Sequence, residues 1–256
     1  MTDTVYVKHE GEIAWLILNK PERKNALDGR MMDLLRENLT ALEENEATRV
    51  IILRGEGEVF SAGGDMRQNA GAPLRPEQSR RLLQKYLRAM EAVRRIDKPV
   101  LAMVEGYAIG GAMSLALACD LVTASEQAFF WPNFVLLGIV PELGLMAFLP
   151  RLLGAQRAKE ILFTGRRLSA AEGWRLGFVN RVLPGPELAA GTLALAREVA
   201  AVSPLSLQLT KSIINRSAAP ELDMVTEAES VASPFCTQTE AYREALARFS
   251  AGKKGG

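Results

Sequence analysis

Three observations make this chain an α/β protein. Short apolar runs such as Val100 to Glu105 have the length and character of strands buried on both faces, as parallel sheets require. Such strands run into glycines and then into a segment at helical spacing, an order that starts at Arg49 and recurs at Val100. From Glu187 onward the strand signals stop and only helical periodicity remains. The predicted organisation is a strand-bearing body over 1–185 followed by a helical region over 186–256.

Taken in order, Val5 to His9 and Ile13 to Asn19 flank Glu10-Gly11-Glu12 as the arms of a β-hairpin, with Trp15 to Leu18 making the second arm apolar on both faces. A polar loop rich in basic residues follows. A helix from Asp28 to Glu44 then carries Met31, Leu34, Leu35, Leu39 and Leu42 at helical spacing. The strand Arg49 to Arg54 leads through Gly55 and Gly57 to Phe60-Ser61-Ala62-Gly63-Gly64-Asp65, where a strand end enters a glycine loop. Positive φ at those glycines would turn successive N–H groups toward one point; an ordinary loop is the alternative.

Gln78 to Ile96 is an amphipathic helix that stops ahead of Pro99. After the strand from Val100 come a glycine turn, Gly106 to Gly111, and an apolar helix, Ala112 to Cys119, broken in polarity only by Ser114. Glycines at a helix mouth either permit close packing or leave N–H groups free to hold an anionic oxygen, with the helix dipole behind them. Short strands at Leu121 to Ser125 and Ala128 to Trp131 follow. Pro141 suits the first position of a helix, which puts Glu142 in its first turn among apolar neighbours. A carboxylate so placed is either a dipole-stabilising terminal acid or a functional acid in a dry pocket.

Gln156 to Thr164 is a helix closed by Gly165, and Ser169 to Glu172 is a capping box that starts another, closed by Gly177. Phe178 to Leu183 is a strand, and Pro184-Gly185-Pro186 a joint. Four helices complete the chain: Glu187 to Ala201, Pro204 to Ser217, Glu221 to Ala232 and Thr239 to Ser250.

Composition removes several function classes. Of 256 residues, 48% are apolar, enough for a substantial core. Lys plus Arg (31) and Asp plus Glu (30) nearly cancel, so neither nucleic acid nor an anionic membrane is an expected partner. No apolar run approaches the ~20 residues of a spanning helix, and the N-terminus lacks a charged-then-apolar leader, so a soluble, cytoplasmic protein is expected. Two cysteines, Cys119 and Cys236, and one histidine, His9, make neither a disulfide framework nor a metal set, and they leave no Ser-His-Asp triad. Chemistry falls to carboxylates, hydroxyls and backbone groups.

Asn19-Lys20-Pro21 with Lys24-Asn25-Ala26-Leu27, Phe60-Ser61-Ala62-Gly63-Gly64-Asp65, Lys98-Pro99-Val100 with Gly106-Tyr107-Ala108-Ile109-Gly110-Gly111, Cys119-Asp120, Leu137 to Pro141, and Thr164-Gly165 with Leu176-Gly177 occur in a fixed order. Together they resemble the enoyl-CoA hydratase/isomerase (crotonase) superfamily over nearly the whole chain. The resemblance implies a spiral of ββα units and a C-terminal helical region that builds homotrimers or dimers of trimers. It implies an acyl-CoA thioester as substrate, so that coenzyme A arrives with the substrate and no separate cofactor or metal is expected. It also implies an oxyanion hole made by the N–H groups of Ala62 and Gly111, next to Gly110. Arg23 and Lys24, with Ala26, would meet the phosphates or adenine, and Ala62, Gly63, Gly64 and Asp65 would line the adenine and pantetheine path. Ser114 would be among the substrate-binding residues, and the acyl pocket would be shaped by the segment from Arg67 to Gln78 with Trp131 and Phe134, whose bulky rings fit an acyl pocket and the core equally; Phe249 and Lys253 would reach a neighbouring subunit's coenzyme A.

Departures from the family pattern narrow the chemistry. Hydratases of the family use two glutamates; the matching positions here carry Ser114 and, with Gly138 as anchor, Phe134, neither of which is an acid or base near neutral pH. Glu142 stands where some isomerases of the family, and a dehalogenase-type branch, carry their acid. The expectation is a 3-enoyl-CoA to 2-enoyl-CoA isomerase with Glu142 as the proton shuttle. Hydration, hydrolysis or dehalogenation with Glu142 acting on water or as nucleophile is the rival within the family, and a non-catalytic acyl-CoA-binding protein the rival outside it. Sequence leaves the direction of the Glu142 pKa open, since apolar neighbours push it up and a helix N-terminus pulls it down.

Overall fold

The computed structural model describes residues 3–66 and 74–251. Its strands are β1 (Val5–Glu10), β2 (Ile13–Leu18), β3 (Val50–Gly55), β4 (Val100–Val104), β5 (Tyr107–Ile109), β6 (Leu121–Ser125), β7 (Phe129–Trp131), β8 (Leu168–Ser169) and β9 (Arg181–Leu183). Its helices are α1 (Gly29–Glu44), α2 (Pro76–Arg95), α3 (Gly111–Ala118), α4 (Leu145–Leu153), α5 (Ala155–Thr164), α6 (Ala170–Leu176), α7 (Gly185–Ala200), α8 (Pro204–Cys236) and α9 (Glu240–Ala251). A six-stranded sheet has the order β1-β2-β3-β4-β6-β9 and a three-stranded sheet the order β5-β7-β8. After the β1–β2 hairpin, with Val5 opposite Leu18, every neighbour in the large sheet is parallel. The chain visits the large sheet at β4, the small one at β5 and then turns into α3, which is one turn of the expected ββα winding.

Both faces of the large sheet are covered, which explains strands apolar at consecutive positions: every residue of β4 is buried. Leu16, Leu18, Leu53 and Ala102 face a cluster that includes Met31, Leu35 and Leu39 of α1. Ile13, Ile52, Leu101 and Met103 face Leu188, Leu195 and Ala196 of α7. So α7, although past the Pro184 to Pro186 joint, belongs to the packing of the sheet. Asp28 caps α1, its Oδ1 accepting from Met31 N–H at 2.8 Å, and of the predicted capping box the Ser169 half forms, Ser169 Oγ accepting from Glu172 N–H at 3.2 Å while the Glu172 carboxylate pairs with Arg166 instead.

The predicted glycine turn from Gly106 to Gly111 contains the strand β5, and three further elements differ from expectation. Leu143 (φ 61°) and Gly144 (φ 73°) are left-handed, so α4 begins at Leu145 and Glu142 stands in the loop before it, not in its first turn. The two helices predicted on either side of Pro220 are one, α8, which runs for 33 residues through that proline. An interior proline costs about 3 kcal/mol; α8 packs along α2 and α4, with Leu222 buried two residues after Pro220. The last strand of the large sheet shrinks to Arg181–Leu183 because Phe178 and Val179 turn into the core, Phe178 meeting Phe130 edge-on at 5.2 Å. Among the described residues no single helix is long and apolar enough to cross a membrane.

Candidate active site

The two glycine corners noted in the sequence lie side by side because short backbone bonds join them. Ser61 N–H donates to Tyr107 O and Ile109 N–H to Ser61 O, each at 3.1 Å. Gly63 has φ 82°, and a Cβ built on it would fall 2.4 Å from Ile109 O and 3.7 Å from Gly111 N. Only a residue without a side chain fits so close an approach. The loop before α1 is tied to the same place by Asn25, fully buried, whose Nδ2 donates to Glu56 O and Val59 O at 2.9 Å while its own carbonyl accepts from Ser61 Oγ at 2.7 Å.

The amides of this corner are not equivalent. Ala62 N–H donates to Lys24 O at 2.9 Å, Gly63 N–H to Ser61 Oγ at 3.1 Å and Asp65 N–H to Leu27 O at 2.7 Å. Gly64 N–H has no acceptor among the described residues, and a Cβ on Gly64 would meet nothing within 4 Å. Gly111 is the first residue of α3, where an N–H has no intrahelical partner. The assignment of Ala62 as an oxyanion donor is therefore corrected: its hydrogen is already engaged inside the protein, and the free pair is Gly64 with Gly111.

Both corners open on a cavity of about 370 Å³. Of the residues expected to bind substrate, Arg23, Lys24, Ala26, Ala62, Gly63, Gly64, Asp65, Gly110, Gly111, Phe134 and Glu142 line it. Ser114 and Trp131 do not. Ser114 is fully buried, its Oγ donating to the Glu142 carbonyl at 2.8 Å, so it steadies the acid's backbone from behind. Trp131 is turned away, its Nε1 donating to Gly165 O at 2.6 Å beneath the Arg167 guanidinium, 4.4 Å from the ring. Arg67 to Pro73, like Lys253, lie outside the described residues, as does the Phe249 side chain.

Sequence reasoning missed Tyr86, Asn133, Ser233 and Tyr242, all on the cavity wall. Asn133 adjoins Phe134 at the start of a short 3-10 helix (Asn133–Leu137), and its Oδ1 lies 3.1 Å from where a Gly110 Cβ would stand. Its place beside Phe134 was a usable signal. Ser233 comes 91 positions after Glu142 and carries no local signature.

Among the described residues three carboxylates line the cavity. Glu22 is exposed at the rim, and Asp65 is bound by Arg23, Nη1 to Oδ2 at 2.7 Å. Glu142 is the interior one. Burial pushes its pKa up, against the Ser233 hydroxyl that donates to Oε1, and the result is about 7. The direction left open by the sequence is thus upward, because Glu142 lies outside the helix whose dipole would have lowered it. Leu143, its neighbour, comes within 3.2 Å of where a Gly111 Cβ would stand, so the acid's loop abuts the amide corner. No cluster of three or more His, Cys, Asp or Glu able to hold a metal exists among the described residues.

Gly64 and Gly111, from separate turns, line one cavity with an interior carboxyl near neutrality, and free amides beside such a carboxyl are the parts that proton movement next to a carbonyl group uses. The family model described as enoyl-CoA hydratase/isomerase matches residues 8–254. A 4-chlorobenzoyl coenzyme A dehalogenase from Arthrobacter sp is 36% identical over 88% of this chain and 82% of its own length. An enoyl-CoA hydratase from Bacillus halodurans superposes with a TM-score of 0.89 at 25% identity, covering 96% of this chain and 100% of the other. A monofunctional enoyl CoA isomerase from M. smegmatis superposes at 0.73 with 34% identity, covering 85% and 95%. The chain belongs to the enoyl-CoA hydratase/isomerase family and has the crotonase fold; it is an acyl-CoA enzyme.

Proposed function

We propose that this enzyme shifts a double bond in an acyl-CoA thioester from the 3- to the 2-position. The thioester oxygen accepts hydrogen bonds from Gly64 N–H and Gly111 N–H. Glu142 takes a proton from C2, the electrons pass through the carbonyl to give a dienolate, and the same carboxyl returns the proton at C4. No atom is gained or lost, so one acid–base group is enough. Fixed donors aimed at the developing negative charge contribute several kcal/mol, one donor being worth about 3. A carboxyl of pKa about 7 is both a competent base and a competent acid near neutrality.

The observation that carries this reading is that Glu142 is the one interior carboxyl among the described residues that line the cavity; on the family resemblance, Ser114 and Phe134 take the two positions that hydration would need filled by acids. Arg23 and Lys24 on the rim are suited to the coenzyme A phosphates, and Ala26 with the Ala62 to Asp65 loop to its pantetheine arm. Exposed Leu205, Leu209, Ile213 and Ile214 on α8 are suited to burial between copies in a trimer or a dimer of trimers, which sedimentation measures.

Conversion of 3-hexenoyl-CoA to the conjugated thioester, followed by its absorbance, tests the proposal. Wild type should give full conversion and E142Q none; conversion by E142Q at the wild-type rate removes Glu142 from the chemistry. The likeness to the dehalogenase supports a second reading, in which Glu142 attacks an acyl-group carbon. Both readings start from the ionised carboxylate; isomerisation also uses the protonated form, which a carboxyl of pKa about 7 supplies near neutrality. Transfer of one oxygen from Glu142 to product in a single turnover in labelled water would decide for the second reading.

A further inference from the structure

Next to the acid's loop, and not among the residues lining the cavity, lies a second carboxyl that the chemistry above does not use. Glu229 of α8 is fully buried. Its Oε2 accepts from Gly144 N–H at 3.0 Å, and its Oε1 has no hydrogen-bond partner among the described residues. Gly144 and Leu143 form the left-handed pair that ends the acid's loop, and the N–H groups of Leu143 and Met146 also point toward Glu229. One helical turn further on, Ser233 donates to Glu142 Oε1. Residues four apart share one face of a helix, so that face of α8 holds the acid twice: by its carboxyl, and by the turn behind its backbone.

We propose that Glu229 is a positioning residue for Glu142, fixing the Leu143–Gly144 turn so that the acid's carboxyl stays over the substrate carbon. The inference rests on the reading of Glu142 as the proton shuttle. A left-handed leucine is an unfavourable backbone state that persists only where the surroundings enforce it. Nothing in α4 enforces it, since the helix has no side-chain cap of its own. Glu229 supplies the missing acceptor from another helix, at the cost of burying a carboxyl with one oxygen unpaired. Such an arrangement is poor for stability, and the position of Glu142 is what it secures.

The surroundings of Glu229 are otherwise quiet. On α2, Arg80 is engaged with Glu227 at the surface and burial pushes the Tyr86 hydroxyl far above its ordinary range; on α4, Arg151 faces Glu221. Burial, with Glu142 adding to it, raises the Glu229 carboxyl to about 8 against the backbone N–H donors. Glu229 and Glu142 titrate as a pair.

Three full-length variants test the proposal with 3-hexenoyl-CoA as probe. E229M fills the same space without an acceptor; E229Q keeps the acceptor without a charge; E142Q is the control for the site itself. For E229M, kcat should fall by about ten- to a hundredfold, the scale of a misplaced catalytic group, with KM within twofold and thermal stability at pH 8.5 equal to or above wild type. E229Q should restore kcat to within about threefold of wild type, a margin of well under 1 kcal/mol. Loss of activity with undiminished stability is the outcome that a purely structural role cannot give. The proposal is overturned if E229M turns over like wild type, if it fails to fold, or if E229Q is as impaired as E229M. An inactive E142Q beside a fully active E229M refutes only the role of Glu229, whereas an active E142Q refutes the reading of Glu142.

Discussion

Ser233 Oγ donates a hydrogen bond to Glu142 Oε1, joining the C-terminal half of α8 to the acid of the cavity. The donor stabilises the ionised carboxyl and so works against burial, which dominates and leaves the pKa at about 7. In S233A only burial remains, and the pKa rises further. The acid limb of kcat/KM should sit near pH 7 in wild type and move to higher pH in the variant. Activity at pH 7 should drop and should recover above pH 9, a recovery that simple misfolding would not give. A pH–rate profile of both proteins checks this.

The same two buried carboxyls fix the direction of a stability dependence. Glu142 and Glu229 have pKa values of about 7 and about 8, above the ordinary 4.5, so the folded state holds protons that the unfolded state has released. Their contribution is fully present below pH 4.5 and is lost as pH rises through 7 and 8. Each contributes a slope of at most about 1.4 kcal/mol per pH unit over its own window. Denaturant melts between pH 5 and 9 should show a decline with pH that is shallower in E142Q and shallower again in E142Q/E229Q.

Much of this molecule was legible in its sequence, and the exceptions have physical causes. Consecutive apolar residues in Val100–Val104 and glycines after β3 and β4 were readable because burial on both faces and positive φ leave few residue types to choose from. The choice between Ala62 and Gly64 as donor was not, since it depends on where Lys24 O lies, a fact of tertiary packing. Nor was the start of α4. Pro141 is a sound helix-start signal, but a left-handed leucine, which a propensity argument would reject, displaces the helix to Leu145. Ser233 and Glu229 escaped notice because nothing local connects residues some ninety positions apart.

At Gly63 the backbone tolerates no side chain. With φ 82° and a Cβ position 2.4 Å from Ile109 O, G63A must either separate the two glycine corners or distort the turn. A cost on the order of 1–3 kcal/mol follows from the backbone alone, and the spacing of the free amides is lost with it. G111A is milder, its Cβ meeting a flexible Leu143 Cδ1 at 3.2 Å and pushing on the acid's loop. The expected order of kcat is wild type, then G111A, then G63A, and the melting temperature of G63A should fall with its activity.

Arg23 is paired with Asp65 at the rim and is about two-fifths exposed at its side chain, 41%. A cation so placed suits the phosphates of a bound coenzyme A without touching the reacting carbons. R23A and K24A should each raise KM for the thioester several-fold with kcat held, and the effect should shrink as salt screens the phosphates. Steady-state kinetics at low and high ionic strength separate this from a change in the chemical step.

Proton return by one carboxyl is read most directly from isotopes. Incubating 3-hexenoyl-CoA with enzyme in deuterated water containing labelled oxygen should yield 2-hexenoyl-CoA with less than one solvent deuterium at C4 per turnover, because the same carboxyl returns the proton it took from C2, and with no labelled oxygen in the acyl chain at early times. In E142Q both conversion and exchange should vanish. A product that carries the labelled oxygen from the first turnovers, or full exchange in E142Q, would contradict the single-carboxyl shuttle.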